Sequence, residues 1–150
     1  MKIAVAADHA GVPLNEQVIA ELRRLGHEVS DLGTHDASKP DDYPDYAAAL
    51  AREIVEGRCE RGVLICGSGV GASVAANKVK GIRAGLAHDT YSAHQGVEHD
   101  NMNVLCLGAR VVAQALALEL VRAFVGAQFT GEERHCRRLA KIAEMEKRGV

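Results

Sequence analysis

One stretch of the chain, residues 62–78 with the sequence GVLICGSGVGASVAANK, constrains the fold more than any other. Its apolar residues 63–66 have the length and composition of a buried strand. Three glycines within residues 67–71 then permit backbone angles that are closed to other residues. The alanine-rich residues 72–78 that follow have good helix propensity. A strand, a glycine loop and a helix start together predict a cradle of backbone N–H groups that binds an anion.

The overall composition is that of an ordinary globular protein, and it argues against several classes of partner. The 150 residues are 47% apolar and 25% charged, which suits one domain over residues 1–150 with a sizeable core. A net charge of −2 argues against a nucleic-acid or anionic-membrane partner. The chain has no apolar run near the roughly 20 residues that span a bilayer. Four cysteines without paired spacing predict reduced thiols and a cytoplasmic location.

Strand-like and helix-like segments alternate along the whole chain. The predicted strands are residues 2–7, 27–32, 63–66, 82–87 and 104–107. The predicted helices are residues 13–25, 45–56, 72–78, 91–98, 111–125 and 132–147. This alternation predicts an α/β fold, a doubly wound, Rossmann-like three-layer sandwich around a five-stranded parallel sheet, with a C-terminal helix. Right-handed crossovers favour the strand order 2-1-3-4-5.

Polar residues cluster where the predicted strands end. Ligands of a doubly wound sheet bind beyond the carboxyl ends of its strands. The residues at those ends, or a short loop away, form a titratable set: Asp8, His9, Tyr43, Cys66, His88, Asp89, His99 and Arg110. Because the carboxyl ends share one edge of the sheet, we expect a binding site there.

Cys66 ends the strand of the central stretch, directly before the glycine loop. A single cysteine is more often a small buried hydrophobe than a reactive thiol. Backbone N–H donors and a helix N-terminus, however, favour the thiolate, which acts as a base or a nucleophile. We therefore interpret Cys66 as functional, and the other three cysteines as packing residues.

The glycine loop can also be compared with nucleotide-binding motifs, but it matches them less well than it matches a simple anion site. Gly67, Gly69 and Ala72 satisfy the dinucleotide fingerprint G-x-G-x-x-G/A, with Asp89 17 residues further on. That fingerprint normally follows the first strand of its unit, whereas here it follows the third. A Walker loop is excluded because no Gly-Lys-Ser/Thr follows, and few aromatic residues disfavour a flavin. A nicotinamide oxidoreductase therefore stays only as a third hypothesis.

The acidic and histidine positions around the fourth strand do not predict a metal site. They are His88, Asp89, His94, His99 and Asp100. They straddle a strand end and a loop without recognisable zinc spacing. We predict no metal ligands in this chain.

A cationic segment lies near the C-terminus. Residues 134–141 contain four cations and no acid, while Glu132 and Glu133 precede them. On a helix Arg134 and Arg138 are one turn apart and point the same way. The segment is therefore either a solvated helix face or a phosphate site, to which two parallel guanidinium groups are suited.

Taken together, these motifs resemble the ribose-5-phosphate isomerase B family, which also includes the galactose-6-phosphate isomerase subunits. The likeness covers essentially the full length. It is carried by Asp8-His9-Ala10-Gly11, Asp42-Tyr43-Pro44, Cys66-Gly-Ser-Gly-Val-Gly71, Ala75-Ala76-Asn77-Lys78, Gly81-Ile82-Arg83-Ala84, Asn103-Val104-Leu105, Leu107-Gly-Ala-Arg110 and Arg134-His135 with Arg138.

The resemblance implies an aldose–ketose isomerase of a phosphorylated sugar, working without metal or cofactor through a cis-enediolate. In that scheme Cys66 is the base, and His99 helps to open the sugar ring with Asp8 and Tyr43 nearby. The anion hole comprises Gly67, Ser68, Gly69, Val70 and Gly71 with Asp100 as a further sugar contact, and Ser68 also counts among the catalytic residues. The phosphate ligands are His9, Arg110, Arg134 and Arg138. The family is dimeric or larger, so we expect a homodimer or homotetramer with sites at the subunit interface.

Two departures from the family pattern bear on the substrate. Ser68 stands where the family usually has Thr, and it keeps the hydroxyl. Asp100 stands where the family's Asn contacts the reacting end of the sugar, and an ionised Asp cannot donate a hydrogen bond. Ribose 5-phosphate, in the pentose phosphate pathway, is the first expectation; erythrose 4-phosphate, allose 6-phosphate and galactose 6-phosphate stay open. The rival class is a non-catalytic phosphosugar-binding module, which would need the arginines and the glycine loop but not Cys66.

Overall fold

The computed structural model describes residues 1–149 and contains five strands and six helices within them. The strands are β1 (Lys2–Ala7), β2 (Glu28–Asp31), β3 (Arg61–Cys66), β4 (Ala84–Leu86) and β5 (Val104–Gly108). The helices are α1 (Val12–Arg24), α2 (Tyr43–Val55), α3 (Val70–Ala76), α4 (Thr90–Asp100), α5 (Gln114–Gly126) and α6 (Glu133–Arg148). Each predicted element is present, with ends that differ by a few residues.

All five strands are parallel and form one sheet in the order β2-β1-β3-β5-β4. The α/β class and the parallel sheet are confirmed, but the predicted order 2-1-3-4-5 is wrong in its last two strands. Strand β5 is five residues long and buried throughout, which suits an interior position with neighbours on both sides. Strand β4 has three residues, all partly exposed, and takes the edge.

The free edge of β4 is covered by a side chain instead of a strand. The side-chain amide of Asn77 donates to the Ala84 carbonyl and accepts from the Ala84 N–H, both at 2.9 Å. Asn103 similarly bonds the Arg83 N–H at 2.7 Å and the Gly81 carbonyl at 2.9 Å. Asn77 therefore satisfies backbone groups that an edge strand would leave open, whereas Asn103 satisfies groups of the loop that precedes β4.

The sheet buries a separate core on each face. Helices α1, α4 and α5 cover one face, where Phe124 is the largest fully buried side chain. Helices α2 and α3 cover the other face, which is lined by small residues such as Ala47, Ala51 and Ala72 and includes Cys66. Because small side chains let helices lie close to a sheet, α2 and α3 pack directly on this face.

Helix α6 lies outside both layers. Its main packing partner is α4, and His135 is its one buried side chain within the described residues. Ile142 and Met145 on the same helix are 43% and 52% exposed. The helices within residues 1–149 are all too short or too polar to cross a membrane.

Candidate active site

A cavity of about 300 Å³ lies at the carboxyl ends of β1, β3 and β5. Its lining comprises Asp8, His9, Ala10, Tyr43, Cys66, Gly67, Ser68, Gly71, Arg110 and Val111. We call it the Cys66 cavity. Its position follows from the topology, because the loops after three adjacent parallel strands meet at one edge of the sheet.

Cys66 forms part of the wall of this cavity and is 5% exposed. Its sulfur accepts a hydrogen bond from the backbone N–H of Gly69 at 3.2 Å. Gly69 has a φ of +82°, a left-handed angle that turns the chain from β3 into α3 and that side chains rarely tolerate. The turn thus aims an N–H donor at the sulfur, which stabilises negative charge there.

The hydroxyl of Ser68 lies one residue from that donor, in the same cavity. It accepts a hydrogen bond from the Val70 N–H at 3.3 Å. A Cβ on Gly108 would lie 2.5 Å from the Ser68 carbonyl oxygen, so β5 approaches the loop with no room for a side chain. The hydroxyl is therefore carried by a backbone segment against which β5 packs closely.

Two further side chains are packed directly on the glycine loop. A Cβ on Gly71 would lie 2.6 Å from the ring of Tyr43, so this ring lies against the start of α3. A Cβ on Gly67 would lie 3.3 Å from a guanidinium nitrogen of Arg110. The Arg110 backbone N–H also donates to the Gly67 carbonyl at 3.0 Å. A phenol and a cation are thereby fixed beside the thiol.

Asp8 is buried at the end of β1, with 5% exposure. Its carboxylate accepts a hydrogen bond from the Gly11 N–H at 2.9 Å. A Cβ on Gly11 would collide with the carbonyl of Ile65, which explains why a glycine closes this turn. The turn holds Asp8 and His9 against the end of β3.

Asp41 and Tyr46 belong to this site, although the sequence interpretation did not include them. Asp41 Oδ1 lies 2.6 Å from His9 Nδ1 and accepts the His9 backbone N–H at 3.0 Å. Its Oδ2 accepts the Tyr46 hydroxyl at 2.8 Å. Burial alone would raise the pKa of Asp41, but the hydrogen bonds from His9 and Tyr46 outweigh it and lower the pKa below its ordinary value. The adjacent motif Asp42-Tyr43-Pro44 was the only sequence signal for this loop.

One compact set of potential metal ligands, and no other, is found within residues 1–149, and it lies at this site. Asp8, His9 and Asp41 each offer one ligand atom, and these atoms lie within 4.8 Å of one another. Their polar atoms already bond protein groups, namely the Gly11 N–H, the His9 ring and the Tyr46 hydroxyl. Each of the three side chains therefore has at least one hydrogen-bond partner within the protein.

Six predicted site residues do not line the Cys66 cavity: Gly69 and Val70 of the glycine loop, and His99, Asp100, Arg134 and Arg138. His99 lies near the end of α4 and stacks on His135 of α6, with ring centroids 4.2 Å apart. Burial, and then the neighbouring His99 ring, lowers the pKa of His135. Gln95 is 2.8 Å from His99 Nδ1. These contacts orient His99 on a surface that is separate from the cavity.

The cationic segment on α6 is partly neutralised within the chain. Arg134 donates to Glu132 at 2.8 Å, and Arg137 makes two hydrogen bonds to Glu133 at 2.9 and 3.1 Å. The two glutamates that precede the segment thus accept hydrogen bonds from two of its arginines. Arg138 makes no ion pair with any described residue and is exposed.

Asp100 is the last residue of α4 and is exposed. Asn101 follows with a φ of +47° and ends the helix, a left-handed position that Asn tolerates better than most residues. Of the other candidates around β4, Asp89 caps α4 by accepting the Ser92 N–H at 2.7 Å, and His94 pairs with Glu98 at 3.1 Å. These contacts give Asp89 and His94 structural roles.

A second cavity, of about 880 Å³, lies between β4, α3, α4 and α6. Its lining is mostly apolar and includes Met102, Ile142 and Met145, with Asp100 at one side. It shares no lining residue with the Cys66 cavity. Although larger, it holds neither the thiol nor the glycine loop, so we place the chemistry in the smaller cavity.

A buried thiol, fixed N–H donors and a guanidinium around one cavity define an α/β enzyme that stabilises a developing anion. The sequence matches the Ribose/Galactose Isomerase family over residues 3–142. Ribose-5-phosphate isomerase B of Escherichia coli is 44% identical over 147 residues, which are 98% of this chain and 97% of that protein. D-erythrulose-4-phosphate isomerase of Pectobacterium atrosepticum is 40% identical over 131 residues, which are 87% of this chain and 86% of that protein.

The fold is shared with solved members of the same group. The structure of ribose-5-phosphate isomerase B from Clostridium thermocellum aligns with a TM-score of 0.96 at 43% identity, and the alignment covers 100% of both chains. The chain therefore belongs to the Ribose/Galactose Isomerase family. The resemblance predicted from the sequence motifs is confirmed.

Proposed function

We propose that this protein interconverts ribose 5-phosphate and ribulose 5-phosphate, as an aldose–ketose isomerase of phosphorylated sugars. The observation that carries the proposal is the Cys66 thiol, which lines a cavity of about 300 Å³ and accepts the Gly69 N–H. Membership of an isomerase family supports it. The proposal includes a place in pentose phosphate metabolism and a cytoplasmic location, where thiols such as Cys66 and Cys136 stay reduced.

In the proposed reaction, the Cys66 thiolate removes the proton from C2 of the open-chain aldose. The C2–H electron pair forms the C1–C2 double bond, and the carbonyl pair moves onto O1, which gives a cis-enediolate. The thiol then returns the proton to C1 while the proton on O2 passes to O1, and the ketose carbonyl forms at C2. Every step is a proton transfer, so the proposal needs neither a metal nor a cofactor.

The glycine loop has the chemistry to stabilise the enediolate. The Gly69 N–H donates to the sulfur, and the Ser68 hydroxyl lines the same cavity on a tightly packed loop. Preorganised donors of this kind contribute roughly 3–4 kcal/mol each to a developing oxyanion. Asp8 and Tyr43 line the same cavity and can exchange protons with the sugar hydroxyls during ring opening.

We propose that His9 and Arg110 bind the phosphate from one chain, and Arg134 and Arg138 from a second chain. The support is the division of the site: the first pair lines the Cys66 cavity, whereas the second pair lies on α6. His99 and Asp100 lie on α4, against which α6 packs, so they would enter the partner's site together with these arginines. The exposed apolar residues Ile142 and Met145 suit burial in a homodimer, or within a homotetramer.

A tetrose phosphate is the second candidate substrate. Asp100 is the observation that keeps the choice of sugar open, because an ionised carboxylate accepts hydrogen bonds from sugar hydroxyls but cannot donate one to a carbonyl oxygen. The Pectobacterium relative at 40% identity is named as a D-erythrulose-4-phosphate isomerase, so the family is not restricted to pentoses.

The substrate is tested by incubating the purified protein with aldose and ketose phosphates of four to six carbons in D₂O. Isomerisation exchanges solvent deuterium into C1 or C2, which NMR follows directly. We expect conversion of ribose 5-phosphate, and none with the unphosphorylated sugars. Deuterium exchange with every phosphosugar no faster than in a sample without the protein would overturn the isomerase proposal.

The division of the site is tested by mixing two defective variants. Cys66→Ala and Arg138→Ala chains are co-expressed with different tags, and the hybrid is purified. If sites are shared, each hybrid dimer contains one fully intact site, so we expect about half the wild-type activity per dimer at low substrate concentration. Hybrids no more active than the mean of the two parents would place Arg138 in the site of its own chain.

A further inference from the structure

The loop before α2 places a carboxylate behind His9. Asp41 and His9 are separated by 32 residues in sequence, yet their side chains meet at 2.6 Å. Both side chains are mostly buried, with 19% exposure for Asp41 and 29% for His9. The Tyr46 hydroxyl donates to the second oxygen of Asp41 at 2.8 Å. The carboxylate is thus held from two sides and has one face against the histidine ring.

The contact determines which nitrogen of His9 bears a proton. The hydrogen bonds that Asp41 accepts lower its pKa, so the carboxylate is ionised near neutral pH and can only accept. The short contact to Nδ1 therefore requires a proton on that nitrogen. The Asp41 backbone N–H also approaches Nδ1, but at 3.4 Å, which is at the limit of hydrogen bonding. The carboxylate contact is shorter by 0.8 Å and decides the orientation of the ring.

A ring whose Nδ1 is bound to a carboxylate leaves Nε2 free for another partner. His9 lines the Cys66 cavity together with Arg110. The other titratable groups of this cavity are Asp8, Tyr43 and Cys66. A second proton on Nε2 makes the ring a double donor, which bridges a fixed carboxylate and a bound anion.

We propose that Asp41, supported by Tyr46, is a positioning residue that holds His9 as a hydrogen-bond donor to the phosphate of the substrate. This inference rests on the proposed function, in which His9 binds phosphate. Asp41 itself accepts from the back of the ring and does not touch the sugar. Its effect is therefore expected on phosphate binding rather than on proton transfer at carbon.

The test compares Asp41→Asn with Asp42→Asn. Both variants remove one negative charge from the same loop, but Asp42 is exposed and its side chain makes no capping hydrogen bond. We expect Asp41→Asn to raise KM for the sugar phosphate and the inhibition constant of inorganic phosphate about tenfold, with kcat changed less than about threefold. Asp42→Asn should match the wild type in all three. Equal behaviour of the two variants would overturn the proposal.

A double variant separates positioning from a general structural role. In a His9→Ala background, Asp41→Asn should have no further effect on phosphate inhibition, since the ring it positions is gone. A loss that adds fully to that of His9→Ala would show that Asp41 acts independently of His9, contrary to the proposal. If Asp41→Asn fails to fold, Tyr46→Phe replaces it, with an expected KM increase of about threefold from the lost hydrogen bond.

A spectroscopic readout is independent of the substrate. With inorganic phosphate bound, the ¹⁵N chemical shifts of the His9 ring in the wild-type protein should show protons on both nitrogens, and Asp41→Asn should lose the proton on Nδ1. An unprotonated Nδ1 in the wild type would refute the positioning role. If Nδ1 is protonated but inorganic phosphate and sugar phosphates leave the His9 signals unchanged, the phosphate role of His9 fails, and the proposal fails with it.

Discussion

The Cys66 cavity and the surface formed by α4 and α6 carry the two halves of the predicted site, and they are built differently. In the cavity, the two buried side chains are each held by a backbone donor: Cys66 by the Gly69 N–H, and Asp8 by the Gly11 N–H. On α6, Arg138 makes no ion pair with a described residue. Only the first half is rigidly organised within one chain.

The difference separates the requirements of proton transfer from those of phosphate binding. Donors that stabilise an enediolate must be in place before the reaction, because reorganising them during it would cost the stabilisation they supply. A phosphate dianion is bound equally in the ground state and the transition state, so long flexible arginines suffice. The rigid half therefore suits the chemical step, and the exposed half suits capture of the substrate.

The largest expected effect is that of Cys66→Ala. Loss of the base should lower kcat for isomerisation at least a hundredfold and up to about ten-thousandfold, while binding of the sugar phosphate and the fold are retained. Cys106→Ala is the matched control, since Cys106 lies in the same core cluster and burial raises the pKa of its thiol to about 12, which keeps it protonated. Steady-state kinetics and isothermal titration measure the two properties. A Cys66→Ala variant with normal kcat would assign the base role to another residue.

The second effect concerns the exposed half. Arg138→Ala should raise KM and weaken inhibition by inorganic phosphate at least about tenfold, because a charge-assisted hydrogen bond contributes roughly 1.5–3 kcal/mol. Arg137→Ala is the control, as its guanidinium is already bonded to Glu133. Similar KM values for both variants and the wild type would identify the cationic segment as a solvated helix face.

A smaller effect is expected on the choice of sugar. Asp100→Asn should raise kcat/KM on ribose 5-phosphate relative to erythrose 4-phosphate by about tenfold, if this side chain faces the reacting end of the sugar in the partner's site. Both enzymes are assayed on both sugars under the same conditions. An unchanged ratio would remove Asp100 from substrate selection and leave ribose 5-phosphate as the first candidate.

The smallest effect lies away from both halves, in an ion cluster that ties α1 to α5. Glu21 accepts hydrogen bonds from Arg24 and Arg122, which lower its pKa from 4.5 to about 2. A carboxylate with a lowered folded-state pKa stabilises the protein above its unfolded-state pKa and loses this contribution as the pH falls toward 2. Glu21→Gln should therefore lower Tm by about 2–4 °C at pH 7, since both arginines are largely exposed.

The pH dependence distinguishes this ion cluster from a packing effect. The Tm difference between wild type and Glu21→Gln should shrink as the pH falls from 4.5 toward 2. Glu119→Gln, an exposed residue of α5, serves as the control with an unchanged Tm. The same Tm difference at pH 7 and at pH 2.5 would contradict the electrostatic explanation. Isomerase kcat at pH 7 should be unaffected, since this cluster does not line the Cys66 cavity.

Most of the fold and half of the site could be predicted from local patterns. The turn at Gly69 follows from its own sequence, because a buried strand followed by alternating glycines has few backbone solutions. The helices followed from apolar spacing, as with Leu14, Val18 and Leu22, all of which are buried. The strand order could not be predicted, since it depends on how deeply β4 and β5 are buried relative to each other.

The sequence by itself determined the alternation of strands and helices, the glycine loop with its thiol, and the family, because each of these depends on residues that are close together in the chain. Only the tertiary structure decided that β5 lies between β3 and β4 in the sheet and that Arg138 lies outside the Cys66 cavity. The same holds for the contact between Asp41 and His9, which are 32 residues apart in the chain. These outcomes depend on which surfaces pack together, and packing is a property of the whole chain. A local sequence pattern indicates which secondary structure a segment prefers, but it does not indicate which other segment packs against it.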